Sequence, residues 1–295
     1  MMLSQSFKKI IVFLIFNFCV LNVSYAAEIE ANENNALNRL DNDYNSYGEF
    51  FDLYQPYLKN IKPYKSMYFL VGSNPEKSKL QLSFRYQLFD QKNLIANDHE
   101  WLQGLNFGYT QTSFWDLKSA SQPFKDTSYK PELFFLSSNF FDGKNDFKGI
   151  FFQVGLQHES NGQAGDNSRA TNIFYLKPIF MLYNQGSFTG VQIAPQIWTY
   201  VENDDDTNYD LKDYRGYFDL ELKIGEKDDL ILESHFRPAK EGNSVQVDLT
   251  LPIRKYIDNS VGVYFQVQYV NGLAENMLNY RDRTEAIRFG ISFIR

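Results

Sequence analysis

Leu80-Gln81-Leu82-Ser83-Phe84-Arg85-Tyr86-Gln87-Leu88 alternates apolar and polar residues without a break. Period two puts the five apolar side chains on one face of an extended strand and the four polar ones on the other. The pattern recurs along the chain. Phe218, Leu220, Leu222 and Ile224 alternate with Asp219, Glu221 and Lys223, and Val245, Val247, Leu249 and Leu251 enclose Gln246 and Asp248. Ile287, Phe289, Ile291 and Phe293 close the chain against Arg288, Gly290 and Ser292. Twelve such segments stand out, at 67–73, 79–89, 101–113, 129–140, 149–160, 170–182, 188–201, 214–224, 228–238, 244–254, 260–270 and 285–295. Most exceed the about 5–6 residues of a globular strand and match the about 9–11 of a tilted membrane-crossing strand. Length and even number predict an all-β fold, a 12-stranded antiparallel transmembrane β-barrel. A secreted β-sandwich is the other architecture that alternation allows.

Composition points the same way. The chain has 295 residues, of which 17% are aromatic (27 Phe, 20 Tyr), yet its mean hydropathy is −0.42. No stretch after residue 25 approaches the roughly 20 consecutive apolar residues of a spanning helix. A barrel reconciles the two, because lipid buries the outward aromatics while the inward face is polar. The net charge of −7 argues against a nucleic-acid partner. A single cysteine excludes a disulfide framework and a cysteine-built zinc site.

Residues 1–26 have the form of a secretory signal: Lys8-Lys9, an apolar run Ile10 to Val20, and Ser24-Tyr25-Ala26 at the cleavage point. The run is short for a membrane anchor, and Phe18 before Cys19 is too large for a lipoprotein signal. A polar segment follows at 27–64, and 65–295 is the expected barrel domain. An even strand count puts both termini on the periplasmic side. The connections 114–128, 161–169, 202–213 and 271–284 then face outward.

Among the three histidines, His99 and His235 suit structural roles, His99 in the acidic loop Asn97-Asp98-His99-Glu100 and His235 on a lumenal face. His158 differs. It shares parity with Phe152, Val154, Leu156 and Ser160, so the His158/Ser160 pair points toward lipid at the outer end of its strand. Asn172 shares the outward parity of Phe174 and Leu176 at the start of the next strand. A hydroxyl, an imidazole and an amide able to fix the tautomer make a nucleophilic set. Polar groups on a lipid face are costly unless they meet a substrate from the membrane. The same residues also suit an Asn161-Gly162 turn with polar strand caps, and spacing alone leaves both open.

His158-Glu159-Ser160-Asn161-Gly162, then Ser168-Arg169 and Asn172, resembles the outer-membrane phospholipase A signature H-x-S-N-G-x(5)-S-R-x-x-N. The likeness extends to Tyr109–Trp115, Pro123-Phe124, Tyr129 with Pro131–Phe134, and Asn271–Asn276, over most of 64–295. It implies a calcium-dependent hydrolase of phospholipid and lysophospholipid acyl esters, active as a homodimer in the bacterial outer membrane with its site toward the outer leaflet. On that resemblance Ser160 matches the nucleophile, His158 the general base and acid, and Asn172 the residue that orients His158. Ser160 and Gly162 lie where backbone N–H groups hold the oxyanion. The calcium ligands implied are the Ser168 side chain, the Gln163 carbonyl and a Ser121 carbonyl from the partner subunit. Gln163 and Ile173 depart from the family's arginines. Gln111, outward with Leu105, Phe107 and Tyr109, matches an interfacial glutamine; an unpaired amide in hydrocarbon needs a partner across a two-fold axis, or hydration at headgroup level. A non-enzymatic pore or adhesin barrel is the competing function; it leaves the His/Ser/Asn set unexplained.

Overall fold

The computed structural model describes residues 59–89, 98–141, 147–183, 189–203, 205–226, 228–256 and 262–295. The expected signal 1–26, most of the segment 27–64, and parts of the connections lie outside them. The compact unit runs Asn60–Arg295.

Among the described residues thirteen strands form one antiparallel sheet: β1 Ile61–Pro63, β2 Met67–Gly72, β3 Ser78–Gln87, β4 Leu105–Trp115, β5 Phe124–Leu136, β6 Phe147–Ser160, β7 Ala170–Tyr183, β8 Thr189–Asn203, β9 Phe218–Glu226, β10 Ile231–Arg237, β11 Ser244–Pro252, β12 Tyr264–Gly272 and β13 Thr284–Ile294. Each of β2 to β13 pairs with its neighbour in sequence, and β13 pairs with β2, so the sheet closes. The extra strand is half of the first one. β1 pairs with the far end of β3 (Ile61↔Tyr86) and β2 with its near end (Tyr68↔Gln81), so a single stave is broken at 64–66. The barrel therefore has the expected twelve staves, the first of them starting at Ile61, within the tail of 27–64.

Several edges differ from the alternation. β4 starts at Leu105 because Glu100–Gly104 is a 3-10 turn. β5 starts at Phe124, five residues before the alternation is visible, and leaves a shorter outer loop at 116–123. β9 starts at Phe218 because two short helices, α1 Asp205–Asn208 and α2 Leu211–Arg215, occupy the connection.

Period two sorts the faces as the sequence requires. On β3, Leu82 and Phe84 are exposed outward while Lys79 and Ser83 are buried inward. Leu133, Leu156, Phe174, Ile197 and Phe293 extend the exposed apolar band around the barrel. A band this continuous is far more than a water-facing monomer carries, and lipid accounts for it. Among the described residues no helix is long and apolar enough to cross a membrane.

The interior is not uniformly polar, which corrects the expectation. Phe134, Ile173, Tyr175 and Trp198 form a buried lumenal cluster. The break at 64–66 adds Tyr64, whose ring stacks on Phe134 at 5.1 Å and whose hydroxyl accepts from Gln153 Nε2 at 2.6 Å. Ion pairs fill the rest: Lys177–Glu221 at 2.6 Å, Lys223–Glu233 at 2.9 Å, and Arg288–Glu275 at 2.6 Å. His235 sits between Asp219 (2.8 Å) and Glu233 (3.2 Å), the structural role expected of it. Asp248 accepts from Gln266 and Gln268, each at 2.8 Å. Arg254, in the short turn Ile253–Lys255, pairs with Asp228 outside the lumen. A cavity of ≈ 430 Å³ remains between these groups.

Candidate active site

β6 and β7 carry the site. Their register pairs His158 with Asn172 and Ser160 with Ala170. His158 Nδ1 and Asn172 Oδ1 lie 2.8 Å apart. An amide oxygen can only accept, so Nδ1 carries the proton and the Nε2 lone pair is left for a proton transfer. Ser160 lies two residues on, on the same outward face, half-buried like His158 and Asn172. The structure brings His158 and Asn172 into hydrogen-bond contact and leaves Ser160 on the same outward face two residues away, with no hydrogen bond between Ser160 and His158 among the described residues.

The turn after Ser160 is built by Asn161. Its side chain is buried; Nδ2 donates to the Asn167 carbonyl (2.9 Å), and Oδ1 accepts from Arg169 N (3.0 Å) and Gln163 N (3.3 Å). Gly162 follows with φ +68°, and a Cβ there would come within 3.0 Å of the Tyr129 ring. Only glycine takes that backbone and that approach without strain. Asn161-Gly162 is therefore the turn its composition suggested, and it holds the end of the strand that presents Ser160.

Gln163 donates through Nε2 to Asp126 Oδ1 at 3.4 Å, while Asp126 Oδ2 accepts from Met277 N (3.0 Å) and Leu278 N (2.9 Å). One buried carboxylate thus ties the 161–169 turn to the 273–283 loop. Ile173, the other departure, faces the lumen in the aromatic cluster, so it alters packing rather than the lipid face. The Gln163 carbonyl and the Ser168 hydroxyl have no hydrogen-bond partner among the described residues. Ser121 is exposed in the loop 116–123, and no hydrogen bond joins it to the 161–169 turn within the chain.

Gln111 faces outward, as expected, but it is not orphaned. Tyr109 Oη donates to its Oε1 at 3.1 Å and its Nε2 donates to Ser113 Oγ at 3.4 Å. With these bonds made, Gln111 does not require a partner amide to satisfy it. Register places Gln111 opposite Tyr129 and Tyr129 opposite Ser160, so the glutamine lies in the row of the candidate nucleophile.

Sequence reasoning missed the residues that brace the site from within. Glu159, inward between His158 and Ser160, is 3% exposed and binds Arg215 Nη1 at 2.7 Å. Asn208 grips Ala170, opposite Ser160, by both its backbone N (3.2 Å) and its carbonyl (3.1 Å). A buried carboxylate implies a cationic partner, but nothing in the sequence points across 56 residues to Arg215.

A family model described as Phospholipase A1 matches residues 55–293. The chain belongs to the phospholipase A1 family. It is 27% identical over 226 residues to the putative phospholipase A1 of Neisseria meningitidis serogroup B, and that match covers 74% of the chain and about half (54%) of the relative. With phospholipase A1 of Escherichia coli K12 it shares 28% over 227 residues, 75% of the chain and 70% of the relative. Outer membrane phospholipase A from E. coli superposes with a TM-score of 0.65 at 22% identity, over 80% of this chain and 98% of that one. The outer membrane phospholipase dimer of Salmonella typhi with bound calcium gives 0.64 at 21%, over 80% and 92%. Family and fold, with the apolar band, make this phospholipase A1 family member an outer-membrane β-barrel enzyme.

Proposed function

We propose that the chain hydrolyses phospholipid and lysophospholipid acyl esters with a Ser160–His158–Asn172 triad on its lipid-facing side. The 2.8 Å contact of His158 Nδ1 with Asn172 Oδ1, beside an outward Ser160, carries this reading. Ser160 Oγ attacks the acyl carbonyl, and His158 Nε2 takes its proton. Asn172 holds the imidazolium through Nδ1–H. The proton passes to the departing lysolipid oxygen, leaving an acyl-Ser160 ester. Water, deprotonated by His158, then releases the fatty acid and returns the proton to Ser160. On this reading backbone N–H groups at Ser160 and Gly162 steady the oxyanion.

Calcium suits the same turn on the chemistry of its donors. The Gln163 carbonyl and Ser168 hydroxyl are hard oxygens unclaimed by hydrogen bonds among the described residues, too few for the about 6–8 ligands of the ion. A Ser121 carbonyl from a second copy and water complete such a set, which is why the active form is a homodimer. When bound there, calcium supplies positive charge near the developing oxyanion.

The test is fatty-acid release from mixed micelles. Ser160→Ala is expected to abolish release while the barrel keeps its heat-modifiable electrophoretic mobility. Release at the wild-type rate in that variant sinks the assignment.

A further inference from the structure

The ladder that presents His158 and Ser160 is incomplete on one side. β5 and β6 pair at Tyr129↔Ser160 and again from Glu132↔Gln157, with no ladder pair for Lys130 and Pro131 opposite Glu159 and His158. Pro131 has no N–H to contribute. On the other side β6 stays paired with β7, but β7 slips against β8 between Asn172 and Ile173.

Glu159 spans the gap from the lumen. Its Oε2 accepts from Arg215 Nη1 at 2.7 Å, and its Oε1 lies 3.4 Å from both Arg215 Nη2 and Lys130 Nζ. Ser128 Oγ also donates to Oε1. Lys130 and Ser128 belong to β5, so these bonds replace the missing rungs. Arg215 belongs to α2, and its Nη2 also meets Met277 Sδ at 3.1 Å. Leu211, Ala274, Met277 and Tyr280 pack there as a small core that caps the outer mouth.

We propose that Glu159, fastened by Arg215 and Lys130, is a positioning residue for the His158/Ser160 pair. It holds their shared backbone where the ladder does not, and it makes catalytic geometry depend on the folded outer cap. The proposal rests on the triad reading above. Glu159 faces the lumen, away from lipid, so its loss acts on turnover rather than on substrate binding.

The experiment uses the full chain refolded in detergent with calcium. It reads kcat and KM on a dispersed phospholipid, and the rate at which a fluorophosphonate labels Ser160. Misplacing a reacting group by about 1 Å costs up to about a hundredfold. Arg215→Gln is expected to lower kcat and the labelling rate about tenfold or more with KM within about twofold, and Arg215→Lys to recover part of the loss. Arg215→Gln leaves Glu159 short of its main partner. The double variant Glu159→Gln/Arg215→Gln removes both charges of the pair, and it carries the test if the single variant does not fold. Wild-type kcat and labelling in either folded variant overturns the proposal, as does a loss confined to KM. Hydrolysis that survives Ser160→Ala overturns the triad reading instead, so the two failures are distinct.

Discussion

His158, Ser160 and Asn172 show how much a two-residue period carries. Parity alone puts all three on the outer face. What parity cannot set is the register between strands, and a slip of one residue would turn Asn172 into the lumen. The 161–169 turn, held by the Asn161 side chain, makes Asn172 the partner of His158. Asn172→Ala is expected to lower kcat about 10–100-fold without abolishing it. The imidazole keeps its place in the strand and loses only its orienting bond, part of the about 10²–10⁴-fold that a positioned base contributes. Steady-state hydrolysis beside Ser160→Ala checks this, and a loss as complete as that of Ser160→Ala would contradict the orienting role.

At the scale of elements, long strands are legible in the sequence and short irregular pieces are not. α1 and α2 are a single turn or little more, too short for helical periodicity to register. Yet they supply Asn208, Leu211 and Arg215, which grip β7, the cap core and Glu159. Alternation understates β5 because Asp126 and Ser128 resemble loop residues; both are buried inward, where their partners come from other strands and loops. The turn after Ser160 offers a sharper check. Gly162→Ala places a Cβ against Tyr129 in a left-handed backbone, which costs about 1–2 kcal/mol. Its expected result is a folded barrel with activity reduced about tenfold, read by urea unfolding and hydrolysis together. Unchanged activity would mean that this backbone does not shape the site.

For the whole molecule, closure and charge balance decide stability. Glu275 follows β12 at the outer mouth, bound by Arg288 and Lys79. Burial pulls its carboxyl upward, but Lys79 and Arg288 outweigh this and hold it at about 2, against an ordinary 4.5. A depressed pKa stabilises the folded form fully above the unfolded value, and that contribution fades as pH falls from about 4.5 toward 2. Acid titration of near-UV circular dichroism is expected to show an unfolding step in that window, and Glu275→Gln to flatten it. An identical acid transition in the variant removes Glu275 from the account. Across the mouth, burial, reinforced by Asp210, pushes the Tyr280 hydroxyl up to about 12, so this contact between cap loops stays protonated in ordinary buffers. The proposed calcium site belongs to the same scale, since on that proposal its ligand set draws on a second copy. Chelator is expected to abolish fatty-acid release, and Ser168→Ala to raise the calcium needed for half-activity by roughly tenfold or more. An unaltered calcium requirement in Ser168→Ala would exclude that hydroxyl as a ligand.

Alternation, together with the length and even number of its segments, predicted a twelve-stave barrel with aromatics toward lipid, because side-chain direction in a strand depends only on parity. Alternation left the sandwich to be excluded by the closed sheet. It also determined that a hydroxyl, an imidazole and an amide share the outer face. The tertiary structure decided what holds them there. The missing rungs beside Pro131, the Glu159–Arg215 pair, the grip of Asn208 on Ala170 and the lumenal packing of Tyr64 on Phe134 all join residues far apart in sequence. Contacts of that kind are selected by closure of the sheet and by the need to pair each buried charge, and neither constraint leaves a local pattern to read.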